Sequence, residues 1–182
     1  MNDFVDMIQS PTPPHTSMRY AVNRFEDDIH LAVRSAAPVL LTGSAPATQA
    51  LAYRIHSSSG WRHGPFLTIN CASSDAGLEQ SLFEALFASD LRSSQARPIL
   101  QLAQPGSVFL REVGHLSRPV QLRLAECLGE VAGTTRTPGR AARRVIASTT
   151  EPLLPRVDTG SFDDRLYYRL NVIHLMAVIQ PR

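Results

Sequence analysis

The 182-residue sequence contains no lysine, and all 18 of its basic residues are arginine. No loop of the chain can therefore supply the lysine ammonium group that usually balances the outer phosphates of a bound nucleotide. Net charge is also small, at only +2. A charge of this size does not indicate nucleic-acid binding.

Cysteines and long apolar runs are equally scarce. The spacing of the two cysteines, Cys71 and Cys127, fits neither a disulfide framework nor a metal site, so both are expected to be buried thiols. The six histidines lack the spacing of metal ligands. No apolar run approaches the roughly 20 residues that span a bilayer, and the acidic N-terminus does not resemble a secretory signal. The sequence therefore predicts a cytoplasmic protein without a bound metal.

Hydrophobic residues make up 43% of the chain, which is enough for one compact domain with a core. Residues 1–16 are rich in proline and predict a flexible tail, and residues 17–182 predict the domain. Strands are predicted at 38–42, 65–70, 107–110, 144–149 and 171–179, and helices at 17–36, 47–57, 76–88, after Ser117 and at 161–170. This alternation favours an α/β fold of three layers, in which helices cover both faces of a mostly parallel five-stranded sheet.

Five segments in series carry a family resemblance. They are GPFLTINCAS (64–73), LFEALF (82–87), GSVFLREVGHLSRPVQLRL (106–124), RRVIASTT (143–150) and FDDRLYYRLNVI (162–173). Together they resemble the AAA+ ATPase domain of bacterial enhancer-binding proteins, the NtrC-type activators of sigma-54 RNA polymerase. The resemblance covers roughly residues 17–175. It implies a P-loop NTPase fold and, in the family, ATP hydrolysis that acts on the sigma factor.

The phosphate loop of that family is degenerate in this chain. Gly43 keeps the first glycine of the pattern G-x-x-x-x-G-K, whereas Thr48 stands at the second glycine and Gln49 at the lysine. Ala50 replaces the hydroxyl-bearing or acidic residue that follows. Pro46 replaces a further glycine and has no N–H to donate to a phosphate. The resemblance therefore implies only the remnant of a nucleotide pocket, and a strand-to-helix turn without ligand is favoured.

The family's second nucleotide motif, Asp-Glu at the end of the third strand, is also altered. Arg111 stands at the position of the aspartate that supports Mg²⁺, and Glu112 keeps the glutamate that positions the attacking water. A guanidinium group cannot ligate a cation. We expect Arg111 to fill the vacated space and to pair with Glu112 or another carboxylate. The alternative is that this arginine holds a nucleotide without metal.

Two further functional elements of the family, its sensor residue and its trans-acting arginine motif, are changed in part. Thr150 stands at the sensor asparagine after the fourth strand and keeps a hydrogen-bonding group. Of the two arginines that would reach a neighbouring subunit, one falls at Asp163 and the other is kept as Arg169, while Arg165 replaces the motif's aspartate. Reversed charge at a subunit boundary would oppose the family's ring contact or suit a different partner. The alternative is that Asp163 and Arg165 are solvated surface charges.

The elements through which the family acts on polymerase and DNA are not recognisable. The stretch 84–98 lacks the Gly-Ala-Phe-Thr-Gly-Ala loop that contacts the sigma factor, and the sequence stops before the family's helical lid and DNA-binding helix-turn-helix. We therefore expect either a free-standing domain or a fragment of a longer activator. Without the lid, a monomer or dimer is expected rather than a hexamer.

The resulting expectation is a catalytically inactive AAA+-like sigma-54 interaction domain, with Glu112 and Arg169 as vestiges of its catalytic machinery. It would bind neither ATP nor ADP and would act in transcription regulation through a protein partner, such as a genuine sigma-54 activator. Two other functions stay open. One is residual nucleotide binding, and the other is nucleic-acid binding through the arginines at 136, 140, 143 and 144.

Overall fold

The computed structural model describes residues 14–73, 77–87, 106–132 and 143–177. Its centre is a five-stranded sheet built from β1 (Val39–Gly43), β2 (Phe66–Asn70), β3 (Ser107–Arg111), β4 (Arg144–Thr149) and β5 (Ile173–Ala177). The strands lie in the order β2-β3-β4-β1-β5, and all four neighbouring pairs are parallel. The predicted parallel sheet is confirmed. Because all strands run the same way, their carboxyl ends meet at one edge.

Helices lie on both faces of this sheet. They are α1 (Pro14–Arg34), α2 (Ala45–Ser58), α3 (Leu78–Phe87), α4 (Arg118–Ala132), α5 (Leu154–Asp158) and α6 (Asp164–Leu170), with a 3₁₀ turn at Val113–His115. The 3₁₀ turn and α5 are not predicted from the sequence, since each is too short to show a periodic apolar pattern. None of the helices in the described ranges is long and apolar enough to cross a membrane.

The alternation of side chains along each strand divides the core into two layers. On β1, Val39 and Leu41 are fully buried against α1 and α2. Leu40 points to the opposite face, into a cluster that includes Leu124 of α4 and Leu166 of α6. The sheet is therefore covered on both sides, as the three-layer prediction requires.

Four helix starts differ from the sequence prediction, and the third helix begins at Leu78, two residues later than predicted. The first helix begins at Pro14 and not at Ser17, because proline suits the first turn of a helix. The second begins at Ala45, two residues earlier than predicted. The last begins at Asp164, because Asp163 before it accepts a hydrogen bond from the Leu166 N–H and caps the helix. Residues 1–13, most of the stretch 84–98 and the loop 133–142 lie outside the described residues.

Candidate functional site

The connection between β1 and α2 occupies the place of the phosphate loop. Ser44 is the only residue between the strand and the helix. The Thr48 N–H donates to the Ser44 carbonyl at 2.9 Å, which is a regular helical bond, and the Thr48 side chain is 1% exposed. A phosphate cradle needs successive backbone N–H groups that are free to point at the ligand. Here these residues form the first turn of a helix.

The remaining loop positions do not supply what is missing. Pro46 lies in the first turn of α2, where it contributes no N–H. Gln49 and Ala50 follow it in the same helix and are both exposed. The turn thus has no N–H at Pro46 and no free N–H at Thr48, and its side chains offer no cation to an anionic ligand.

Gly43 is explained by the sheet. Its φ is +151°, a backbone conformation that residues with a side chain rarely adopt. A Cβ atom at this position would also collide with the carbonyl oxygen of Ala177 on the adjacent strand β5. Close approach of two backbones is one of the few reasons for which a strand requires glycine. The glycine therefore has a structural cause that involves no phosphate.

At the end of β3, Arg111 and Glu112 diverge. Arg111 is half-buried, and its carbonyl oxygen accepts a hydrogen bond from the Cys71 N–H at 2.8 Å. Within the described ranges it forms no ion pair with Glu112, so the pairing suggested from the sequence is not made. The reason is that Glu112 has left-handed backbone angles, φ 57° and ψ 51°, and its carboxylate bonds elsewhere.

The partner of Glu112 is Thr150. One carboxylate oxygen, Oε2, accepts hydrogen bonds from the Thr150 N–H at 3.1 Å and from the Thr150 hydroxyl at 3.0 Å. The structure thus brings together two of the residues assigned from the family resemblance. Cys71 lies near this carboxylate, and burial together with the charge of Glu112 raises the pKa of its thiol to about 12. That thiol is buried as predicted, whereas Cys127 is only half-buried.

Asp163 is neither a boundary charge nor a solvated one. It is 1% exposed, and it pairs with Arg118 at 3.3 Å and with the exposed Arg165 at 3.7 Å. The Asp163 N–H donates to the buried Gln121 side chain at 2.8 Å, and Gln121 in turn donates to the Leu116 carbonyl at 2.8 Å. Sequence reasoning missed this glutamine, although a lone amide on the apolar face of a helix is the available signal.

Arg169, the retained arginine of the trans-acting pair, packs within its own domain. Its guanidinium group lies against α4 at Gly129, where a Cβ atom would overlap it. The absence of a side chain at Gly129 therefore creates the space that Arg169 occupies. The sequence shows this glycine inside a predicted helix, where glycine is unfavourable, and that was the signal for a packing role.

Two arginines of the basic loop also face inward. Arg143 donates to the Ala85 carbonyl in the last turn of α3 at 3.2 Å, and Arg144 donates to the Ala32 carbonyl in the last turn of α1. Arg144 is 2% exposed and lies over the Trp61 ring at 5.2 Å, and burial lowers its pKa to about 10. Both arginines satisfy carbonyl groups at helix ends. Arg144 is thus inaccessible to a nucleic acid in this arrangement, whereas Arg143 is half-buried, and positions 136 and 140 lie outside the described residues.

Metal ligands do not converge anywhere along the described ranges. No group of three or more His, Cys, Asp or Glu side chains there is arranged to hold a metal ion. At the end of β3 the site brings Glu112 and Thr150 into hydrogen-bond contact beside the half-buried Arg111.

The parallel sheet, its strand order and the glycine turn after β1 define a P-loop NTPase fold of the AAA+ class. The structure of the P-loop NTPase domain of the sigma-54 transport activator from E. coli superposes with a TM-score of 0.61 over 89% of this chain and 99% of that one. Its sequence identity is 16%, so this likeness concerns the fold alone. Brucella abortus NtrX in complex with ADP is 26% identical, with a TM-score of 0.65 over 86% of this chain and 36% of that chain.

Sequence comparison identifies the family. The model of the sigma-54 interaction domain matches residues 16–176, and the chain belongs to this family. The sigma54-dependent transcriptional activator SfnR of Pseudomonas putida is 35% identical over 176 residues, which are 88% of this chain and 48% of SfnR. The Nif-specific regulatory protein of Rhizobium leguminosarum bv. trifolii is 36% identical over 79% of this chain and 42% of that protein. The chain thus spans less than half the length of these relatives.

Proposed function

We propose that this chain is a sigma-54 interaction domain that does not hydrolyse ATP and that acts in transcription regulation through protein contacts. The observation that carries the proposal is the first turn of α2. The Thr48 N–H is bonded to Ser44, Pro46 has no N–H, and Gln49 replaces the lysine. A nucleotide would therefore lack two of the N–H donors of a phosphate loop and would also meet no ammonium group.

The loss at β3 supports the same proposal independently. Arg111 provides no ligand for Mg²⁺, and its positive charge would repel the ion. One oxygen of the Glu112 carboxylate, Oε2, already accepts two hydrogen bonds from Thr150, at 3.0 and 3.1 Å. A glutamate that is to position water needs an acceptor oxygen directed at that water, and these two bonds hold the carboxylate toward Thr150 instead. The proposed partner is a complete sigma-54 activator or another component of the transcription machinery, with a cytoplasmic location and a monomeric or dimeric state.

The direct test combines turnover with binding. Purified chain is expected to show no ATP hydrolysis above that of a Glu112→Gln variant, and no thermal shift with ATP and Mg²⁺. Hydrolysis by the wild-type chain that is abolished in Glu112→Gln would falsify the proposal. The partner is tested by co-purification with sigma-54 and with a full-length activator, and the proposal expects retention of at least one of them. If neither sigma-54 nor the activator is retained, the proposal that the chain acts through protein contacts is wrong.

A restoration experiment separates the role of the side chains from that of the backbone. The double variant Gln49→Lys, Arg111→Asp regains both missing charges but keeps α2 starting at Ala45. We expect it to bind ATP and Mg²⁺ no better than the wild type, because the Thr48 N–H stays bonded to Ser44 and Pro46 still has no N–H. Adding Pro46→Gly and Thr48→Gly frees the turn and is expected to permit binding. Tight binding by the double variant alone would contradict the backbone argument.

Residual nucleotide binding is the second candidate function, and Arg111 favours it. This arginine forms no ion pair with any described residue and lies at the carboxyl end of β3. Brucella abortus NtrX was crystallised with ADP. If Arg111 holds a diphosphate, ADP without metal will raise the melting temperature of the wild type but not that of Arg111→Gln. Equal behaviour of the two proteins would exclude this function.

A further inference from the structure

Glu112 and Thr150 join the ends of β3 and β4 beyond the point where backbone pairing stops. The ladder between these two strands ends at Leu110 and Ala147. Past that register the described connection between the strand ends is made by the Glu112 carboxylate, which accepts both the N–H and the hydroxyl of Thr150. Hydrogen bonds to an ionised carboxylate are about twice as strong as those between neutral groups.

The backbone of Glu112 is held in an unfavourable conformation at the same point. Among the described residues other than glycine, it is the one with a positive φ. Left-handed backbone costs free energy for a residue with a Cβ atom and persists only where surrounding contacts enforce it. The Glu112 carbonyl also accepts the His115 N–H at 3.0 Å and so begins the 3₁₀ turn. In that turn Gly114 is buried against Arg156 of α5.

We propose that Glu112 and Thr150 form a clasp that holds the carboxyl ends of β3 and β4 in one arrangement without any nucleotide. The side-chain bonds fix the carboxylate, the carboxylate fixes the left-handed residue, and that residue fixes the 3₁₀ turn packed on α5. The functional consequence of the clasp rests on the function proposed above. A domain held in one state presents a constant surface to a partner without nucleotide turnover.

Amide hydrogen exchange at Thr150 in the whole chain tests the clasp directly. Glu112→Gly tolerates the left-handed backbone but removes the carboxylate, and it is expected to accelerate exchange of the Thr150 N–H by about ten- to hundredfold. Thr150→Ser keeps both donors and is expected to retain the wild-type rate. The neighbouring exposed acid provides the matched control, since Glu151→Gln changes the local charge and leaves the clasp intact.

The second readout is a double-mutant cycle on unfolding with Glu112→Gly and Thr150→Val. The clasp predicts that the two substitutions are not additive, because each removes the same hydroxyl-to-carboxylate bond. Unchanged Thr150 exchange in Glu112→Gly, or strict additivity in the cycle, overturns the clasp and leaves the proposed function standing. Deprotection of Thr150 on addition of ATP and Mg²⁺ to the wild type would instead reveal a nucleotide-operated switch, and both proposals would then fail.

Discussion

Replacing Gly43 with alanine tests whether this glycine serves the sheet or a phosphate. An alanine at position 43 would have to keep φ near +151°, and its Cβ atom would collide with the Ala177 carbonyl oxygen on β5. The backbone conformation costs about 1–3 kcal/mol for a residue with a side chain, and forced overpacking costs about 1–3 kcal/mol more. We therefore expect Gly43→Ala to lower the free energy of unfolding by about 2–6 kcal/mol with no ligand present.

Two other glycines provide matched controls that separate strain from collision. Gly60 has no positive φ, and a Cβ atom added there would have no heavy atom within 4 Å, so Gly60→Ala is expected to change stability by less than about 0.5 kcal/mol. Gly160 has φ +72° and is equally open, so Gly160→Ala carries the backbone penalty alone, about 1–2 kcal/mol. The order of destabilisation should therefore be Gly43, then Gly160, then Gly60.

Urea denaturation measures all three variants, and fluorescence of the single tryptophan, Trp61, reports unfolding. For a chain of this size each kcal/mol lowers the melting temperature by about 2–4 °C, so Gly43→Ala should melt roughly 4–24 °C below the wild type. If Gly43→Ala were as stable as Gly60→Ala, the close approach of β1 and β5 would not be the reason for this glycine. Phosphate binding would then be the better explanation for a glycine at position 43.

Three further predictions concern buried polar groups. Burial, with the nearby charge of Arg144, lowers the pKa of His56, which hydrogen-bonds to Ser107 at 2.9 Å. The contribution of His56 to the free energy of unfolding should therefore be complete above pH 6.5 and should decrease at lower pH, because the unfolded chain then binds a proton that the folded chain does not. The His56→Asn variant should lose this part of the pH dependence in urea titrations between about pH 7 and 5.5. Asp163→Ala should lower the free energy of unfolding by about 2–4 kcal/mol in urea, because α6 loses its cap and Arg118 and Arg165 lose their carboxylate partner. Arg118→Ala removes a half-exposed partner and should cost less than about 1 kcal/mol, so equal costs would contradict the burial argument. Arg144→Met should keep most of the packing on Trp61 and lose about 1 kcal/mol, while Arg144→Ala should lose about 2–4 kcal/mol and lower the melting temperature accordingly; a neutral Arg144→Ala would show that the α1 cap contributes nothing.

The sheet was predictable because its signal is local. Each strand is a short apolar run, and β4 was predicted with its observed bounds, Arg144–Thr149. The alternation with helices then required parallel strands, since parallel neighbours need a crossover. Helix starts were less predictable, because they depend on caps. Asp163 begins α6 through a side-chain bond that the sequence shows only as one acid in an acidic pair.

The inward direction of the charged side chains was not predictable from the sequence. Arg143 and Arg144 read as part of a basic loop, yet each caps a helix that lies more than 50 residues away along the chain, as the bonds to Ala85 and Ala32 show. From the sequence, Asp163 was likewise expected to be a charge at a subunit boundary or on the surface, because the sequence does not show which groups pack around it. Which helix end a guanidinium reaches is decided by the packing of the two core layers, and a one-dimensional pattern does not contain it.

The nucleotide site contains both a change that the sequence shows and one that it does not. The missing lysine and aspartate were readable, because their positions are counted from Gly43 and from the end of β3. The early start of α2 was not read, although Pro46 signals it, since proline fits the first turn of a helix as well as a loop. The two kinds of loss differ in how easily they could be reversed. A lost charge could be restored by one substitution, whereas the Thr48 N–H, which is bonded to Ser44 within the helix, becomes free only if the backbone of residues 44–48 refolds. The loss of nucleotide binding proposed here therefore depends more on where α2 begins than on which side chain stands at position 49.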